Sequence, residues 1–126
     1  LPVAFFAWND ADEEKRLIQR EVGRLISQGL RPERITILSP HRRSKGSLAG
    51  VEKIHEWPLI SLEDTGQNGI RFATVRSFKG LEADVVFLIG VIEDSPACTI
   101  KDIYVGISRA RYLLYIFHHK DWKFPE

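Results

Sequence analysis

From Thr74 to Glu82 the chain reads TVRSFKGLE, which gathers two cations (Arg76, Lys79), two hydroxyls (Thr74, Ser77), a glycine (Gly80) and a carboxylate (Glu82). Cations and hydroxyls suit phosphate oxygens, and a glycine lets backbone N–H groups approach an anion closely. A carboxylate repels phosphate but accepts a hydrogen bond from a sugar hydroxyl, as acidic residues do in dinucleotide sites. The second such stretch is IYVGISRARYLL, Ile103 to Leu114, with Arg109 and Arg111 near Gly106. A guanidinium beside a glycine gap is suited to reaching a phosphate across an interface. Each stretch alone also fits a plainer description: a solvated basic turn with an ion-paired glutamate, or arginines that solvate a helix face.

The elements that must carry these groups are readable from pattern. Val3 to Trp8 (VAFFAW) is a short apolar run that predicts a buried strand. Asn9 or Asp10 offers an N-cap, and Asp12, Glu13 and Glu14 put negative charge in a first helical turn. Ile18, Val22, Leu25 and Ile26 share one helical face, and Gly29 predicts the stop. ITIL (Ile35–Leu38) reads as a second strand, so a right-handed βαβ unit is the simplest topology. Residues 39–69 read as a polar loop, a strand broken at Pro58, and a turn whose strongest signal is Asn68-Gly69. IRFATV (Ile70–Val75) and DVVFLIGV (Asp84–Val91) predict strands on either side of the basic turn. A helix from about Thr99 to Ala110 and a strand YLLYIF (Tyr112–Phe117) follow.

Strands apolar on both faces predict a parallel sheet covered by helices, hence an α/β fold with an open, mainly parallel sheet. Ligands of such sheets gather outside the carboxyl ends of strands, where the Thr74–Lys79 turn is expected. On a helix, Ile103, Ile107, Ala110 and Leu114 fall within about 60° of one another, with Arg109 about 120° from that face and Arg111 about 160° from Arg109. The two arginines then cannot share one ligand. Gly106 would leave room beside Arg109 for a bulky group.

At 126 residues the chain is expected to form one domain. Its 44% hydrophobic and 28% charged content is ordinary for a soluble globular chain. No run approaches the ~18 apolar residues of a membrane span, and the start, LPVAFFAWNDADEEK, has no basic region and sets acidic residues after its short apolar run, so it does not read as a signal peptide. The absence of methionine is expected of a piece of a longer polypeptide. One cysteine, Cys98, excludes an internal disulfide and a multi-cysteine zinc site, and reads as inert. His41, His55, His118 and His119 are not at ligand spacing, so no metal site is expected. A net charge of +1 makes no global case for nucleic acid, although Arg31, Arg34, Arg42, Arg43 and Lys45 cluster against the single acid Glu33.

Together, TVRSFKGLEADVVFL and IYVGISRARYLLYIF resemble motifs V and VI of superfamily 1 helicases of the UvrD/Rep type. The strand-helix-strand opening that ends ITILSPHRRS resembles the region before motif V in their second RecA-like domain. The resemblance is strong over Thr74–Leu88 and Ile103–Ile116 and loose across 45–69. It implies that Arg109 is an arginine finger meeting the γ-phosphate of ATP, and that Glu82, beside Gly80, contacts the ribose. Thr74, Arg76 and Ser77 would lie along a single-stranded DNA track, with His41, Arg42 and Arg43 as further backbone contacts. A histidine often stands in the family where this chain has Arg76, and the family's motif IV arginine would fall before Leu1.

The chain has no GxxxxGK[ST] phosphate loop and no paired acidic stretch to hold Mg²⁺ after a strand. The resulting expectation is a single RecA-like domain over residues 1–126: a P-loop NTPase fold without its own P-loop, its sheet flanked by helices. It would be the C-terminal motor domain of an ATP-dependent DNA helicase of a bacterial-type cytosol, with no membrane partner. ATP with Mg²⁺ would be held mainly by the N-terminal RecA-like domain of the same parent chain, and the isolated chain would not hydrolyse ATP. Single-stranded DNA is the expected partner, with RNA left open. Arg109 should project from the ligand-binding rim on the same edge as Gly80 and Glu82. Two other readings stay open: a stand-alone protein- or nucleic-acid-binding module, and the motor part of a helicase-nuclease fusion.

Overall fold

The computed structural model describes residues 2–64, 66–93, 95–96 and 98–124. Its elements are β1 (Val3–Trp8), α1 (Ala11–Ser27), β2 (Ile35–Ser39), β3 (Lys53–Ile54), β4 (Trp57–Ile60), β5 (Ile70–Thr74), β6 (Ala83–Val91), α2 (Ile100–Ile107) and β7 (Ala110–His119). The strands form one sheet in the order β1-β7-β6-β2-β5-β4-β3. Every neighbouring pair is parallel except the β3–β4 hairpin. The α/β fold with a mostly parallel sheet is therefore what the two-faced apolar strands required.

Strand alternation divides the apolar side chains between two cores. Ile35, Ile37, Val85, Phe87, Tyr115 and Phe117 pack with Ile18, Val22 and Leu25 of α1. Leu38, Val86, Leu88, Leu114 and Ile116 pack on the other face with Ile103 of α2, Phe78 and Trp122. Each such side chain, fully buried, contributes roughly 1.5–3 kcal/mol, so β2, β6 and β7 make the stiff frame that holds the rims.

Asp10 is the N-cap of α1: the Glu13 N–H donates to its Oδ1 at 2.8 Å, and Gly29, with φ +103°, ends the helix. Glu14 is buried and accepts the N–H of Gly90 at 2.7 Å, which ties the first turn of α1 to the end of β6. The Ser47 hydroxyl and the Trp8 indole N–H also lie near this carboxylate, although neither meets it in hydrogen-bond geometry.

β1, α1 and β2 form the expected unit of two parallel strands joined by a helix, with β7 and β6 lying between the two strands in the sheet. Several other expectations are corrected. β1 is an edge strand whose exposure alternates, with Val3 43% and Phe5 49% exposed, and not a buried one. The break in 51–62 falls at His55-Glu56 and not at Pro58, which lies within β4. His55 has φ +56° and places its Nε2 2.7 Å from the Gln19 carbonyl, over Gly23 of α1. α2 stops at Ile107 and β7 begins at Ala110, two residues before the expected start at Tyr112. A bulge lies there: Ala83 pairs with Ala110, but Val85 pairs with Leu113. One extra residue in β7 leaves both Arg111 and Tyr112 exposed, which masks the strand pattern.

Candidate functional site

β2 lies between β5 and β6 and is parallel to both, so the turn joining them must cross from the carboxyl rim of the sheet to its amino rim. The basic turn thus serves two rims. Thr74 and Ser77 lie at the carboxyl one, and Glu82 directly precedes β6 at the other. Gly80, with φ +80°, permits the path; a Cβ there would meet nothing within 4 Å, so the demand is conformational. Phe78, 2% exposed, anchors the turn in the second core.

At the carboxyl rim the Val75 N–H donates to the Ser39 carbonyl at 2.9 Å, fastening β5 to β2. Ser77 closes the turn, its N–H on Thr74 Oγ1 at 3.1 Å and its hydroxyl on the Thr74 carbonyl at 3.0 Å. A cavity of about 270 Å³ joins Thr74 and Ser77 to Arg42, Arg43 and Glu63. Arg42 is exposed. Arg43 turns inward and donates to the carbonyls of Leu59 and Val51, so it braces the loop. His41 lies in a separate recess with Trp8, Glu14 and Gly90. Of the residues expected along a nucleic-acid track, Thr74, Ser77 and Arg42 come together, while His41 and Arg76 line other cavities.

Arg76 lines a cavity of about 480 Å³ between the turn and α2, with Lys79, Thr99, Lys101, Asp102, Val105 and Arg109. Four cations face one carboxylate there. Thr99 caps α2: its Oγ1 accepts the Asp102 N–H at 3.2 Å, and its hydroxyl and N–H donate to Asp102 Oδ2 at 2.8 and 3.1 Å. Burial pushes the Asp102 carboxyl up, but the Thr99 bonds and the charges of Arg76 and Lys101 together hold it below the usual range. Arg76 Nε is 3.9 Å from Asp102 Oδ1 with its side chain 78% exposed, so this pair binds weakly.

Arg109 sits in the turn between α2 and β7. Its N–H donates to the Gly106 carbonyl at 3.2 Å, and its carbonyl accepts the Ala83 N–H at 2.9 Å. The side chain is half-buried, its Nε is buried without a hydrogen-bond partner, and among the described residues it makes no ion pair. A buried, unbonded N–H costs about 1–3 kcal/mol, so this guanidinium is in want of an acceptor. Arg111, in contrast, lies 3.6 Å from Glu82 and 3.6 Å from Asp84. Ala83 and Ala110 are bridge partners, so Glu82 and Arg109, one residue before each, are neighbours on one edge. That edge is the amino rim and not the carboxyl rim that the sequence suggested.

Arg109 and Arg111 both lie beyond α2, so the turn and the bulge, and not the helical spacing expected of them, set them apart. Gly106 does not open a gap for a ligand. It is buried, and a Cβ there would lie 2.8 Å from Leu88 Cδ1, so it seats α2 on β6.

Sequence reasoning missed Thr99, Lys101 and Asp102 as lining residues. The Thr99-x-x-Asp102 spacing of a capping box was the available signal. Cys98 is buried and its thiol is pushed up by desolvation, in keeping with an inert residue. Among the described residues no three His, Cys, Asp or Glu side chains converge as metal ligands, and no helix is long and apolar enough to cross a membrane.

The chain is thus an α/β domain with an open, mainly parallel sheet and cation-lined cavities at its carboxyl rim and between the basic turn and α2. Residues 69–117 match the model of the UvrD-like helicase C-terminal domain, and this chain carries a domain of that family. Over 61 residues, 48% of the chain, it is 43% identical to the mitochondrial ATP-dependent DNA helicase HMI1 of Saccharomyces cerevisiae, covering 8% of that protein. Over 109 residues, 79% of the chain, it is 32% identical to RecBCD enzyme subunit RecB of Chlamydia muridarum, covering 11% of it. The chain thus spans about a tenth of the length of these relatives. Its fold is similar to the C-terminal domain of a possible DNA helicase from Lactobacillus plantarum WCFS1, with a TM-score of 0.70 at 15% identity, covering 94% of this chain and 73% of that one.

Proposed function

We propose that this domain is the second motor domain of an ATP-dependent DNA helicase or translocase, with Arg109 as its arginine finger. The observation that carries the reading is the Arg109 guanidinium: half-buried, without an acidic partner among the described residues, and its Nε unbonded; its backbone, though not its side chain, neighbours Glu82, which faces a separate cavity with Arg111 and Asp84. These residues suit part of a nucleotide. Arg109 would meet the γ-phosphate and Glu82 a ribose hydroxyl, with Gly80 shaping the turn that brings Glu82 there. The chain has no phosphate loop of its own, so the principal hold on ATP and Mg²⁺ belongs to the N-terminal RecA-like domain of the parent polypeptide. Bound there, ATP with Mg²⁺ supplies the phosphoryl group whose transfer an arginine finger accelerates by on the order of 10³–10⁵.

At the carboxyl rim, Thr74, Ser77 and Arg42 would hold backbone phosphates of single-stranded DNA, while Arg76 would act from the neighbouring cavity. The Thr74–Glu82 turn then joins the two rims physically, so a change at the nucleotide edge reaches the strand-gripping edge through one short segment. Such contacts read phosphate and not base, and weaken with salt.

The test is DNA-stimulated ATP hydrolysis by the parent polypeptide carrying Arg109→Ala or Arg111→Ala. Loss of turnover with Arg109→Ala and its retention with Arg111→Ala supports the assignment. Equal effects of the two would reject it.

A further inference from the structure

We infer that Arg111 is a positioning residue for Glu82 and thereby sets how strongly the domain distinguishes the ribose of its nucleotide. The inference rests on the reading of Glu82 as the sugar contact. It is carried by a line of alternating charges along the amino rim. Arg34 Nε lies 3.6 Å from Asp84 Oδ2, Arg111 Nη1 3.6 Å from Asp84 Oδ1, and Arg111 Nε 3.6 Å from Glu82 Oε2. Asp84 is the least exposed member, its side chain 22% accessible, and it holds Arg111 from the strand side. The Arg111 guanidinium also lies 5.9 Å from the Tyr112 ring centroid.

The β7 bulge makes this arrangement possible. Two residues, Arg111 and Tyr112, stand opposite Asp84 alone, and both are exposed where a regular strand would have hidden one. Glu82 is exposed and would sample many rotamers if left free. Its Oε2 faces Arg111, and its Oε1 makes no hydrogen bond among the described residues. One carboxylate oxygen is thus restrained while the other stays available as an acceptor, with Arg109 one bridge pair away. Arg111 acts only through Glu82 and touches no reacting atom.

The experiment measures hydrolysis by the parent helicase of ATP, 2′-deoxy-ATP and 3′-deoxy-ATP, in wild type, Glu82→Ala, Arg111→Ala, Arg111→Lys and the Glu82→Ala/Arg111→Ala double variant. Arg111→Ala should raise KM for ATP roughly threefold, the size expected of an exposed ion pair, with kcat little changed. It should also lower the preference for ATP over the deoxynucleotide, with partial recovery in Arg111→Lys. It should have no further effect once Glu82 is alanine. Additive effects of the two substitutions, or a loss with Arg111→Ala that is equal for all three nucleotides, would overturn the inference. If Glu82→Ala lowers the preference and Arg111→Ala does not, this inference alone fails. If Glu82→Ala leaves the preference unchanged, the sugar contact itself is wrong and the inference falls with it.

Discussion

Gly106→Ala tests how α2 is seated, and with it the placement of Arg109 three residues later. The added Cβ would lie 2.8 Å from Leu88 Cδ1, 3.4 Å from Leu88 Cδ2 and 3.6 Å from Val75 Cγ2. Carbon atoms pack comfortably at about 3.5–4.0 Å, so the helix or Leu88 must yield by roughly 1 Å. Leu88 is 1% and Val75 2% exposed, which leaves little volume to yield into. Overpacking of this kind costs about 1–3 kcal/mol, while alanine in place of glycine within a helix returns about 1 kcal/mol. The net expectation is a loss of about 1 kcal/mol, or roughly 4 °C in melting temperature for a domain of this size. Urea unfolding of wild type, Gly106→Ala, Leu88→Val and the double variant provides the assay. The double variant should lose less than the sum of the singles, because the shorter side chain makes room. A Gly106→Ala domain as stable as wild type, or more so, would refute the seating, since helix propensity would then be acting unopposed.

Glu14 has its pKa raised from the ordinary 4.5, chiefly by burial, which outweighs the lowering effect of the Gly90 N–H. A carboxyl raised on folding contributes stability that is full below its unfolded pKa and is lost as pH rises through its folded pKa. Glu14→Gln should therefore flatten the loss of stability as pH rises above about 4.5, read by urea unfolding over a pH series; parallel wild-type and variant profiles would contradict this. Arg42→Ala in the parent helicase should reduce the salt slope of single-stranded DNA binding by about 0.7, one phosphate contact, whereas Arg43→Ala should weaken folding and leave the slope alone. The isolated 126-residue chain should show no ATP hydrolysis. Turnover by that chain that disappears with Arg109→Ala would show otherwise.

The sequence was most legible where local pattern and burial agree. Asp10 and Gly29 bound α1 because capping is settled by adjacent residues, and β2, β5 and β6 announce themselves through apolar runs that only a covered sheet tolerates. Strand order was not legible. The placing of β7 and β6 between β1 and β2 is decided by which strands bury most against each other, and no local signal records it. The location of Glu82 and Arg109 on the amino rim follows instead from strand direction, since each directly precedes a strand of the parallel set and the 75–82 turn must cross the sheet to reach β6. The end of α2 was misplaced because IYVGISRA keeps helical apolar spacing through a turn and a bulge. Gly106 was misread for a related reason: a glycine on a helix announces close approach, but not whether the visitor is a ligand or, as here, the Leu88 side chain.

The central claim is that Arg109 acts on the chemical step. The most direct measurement is single-turnover ATP hydrolysis by the parent helicase with saturating nucleotide and DNA, comparing wild type with Arg109→Ala. The account predicts a fall on the order of 10³ or more in the rate of cleavage, with folding unchanged. A fall of less than tenfold, about 1.4 kcal/mol, would contradict it.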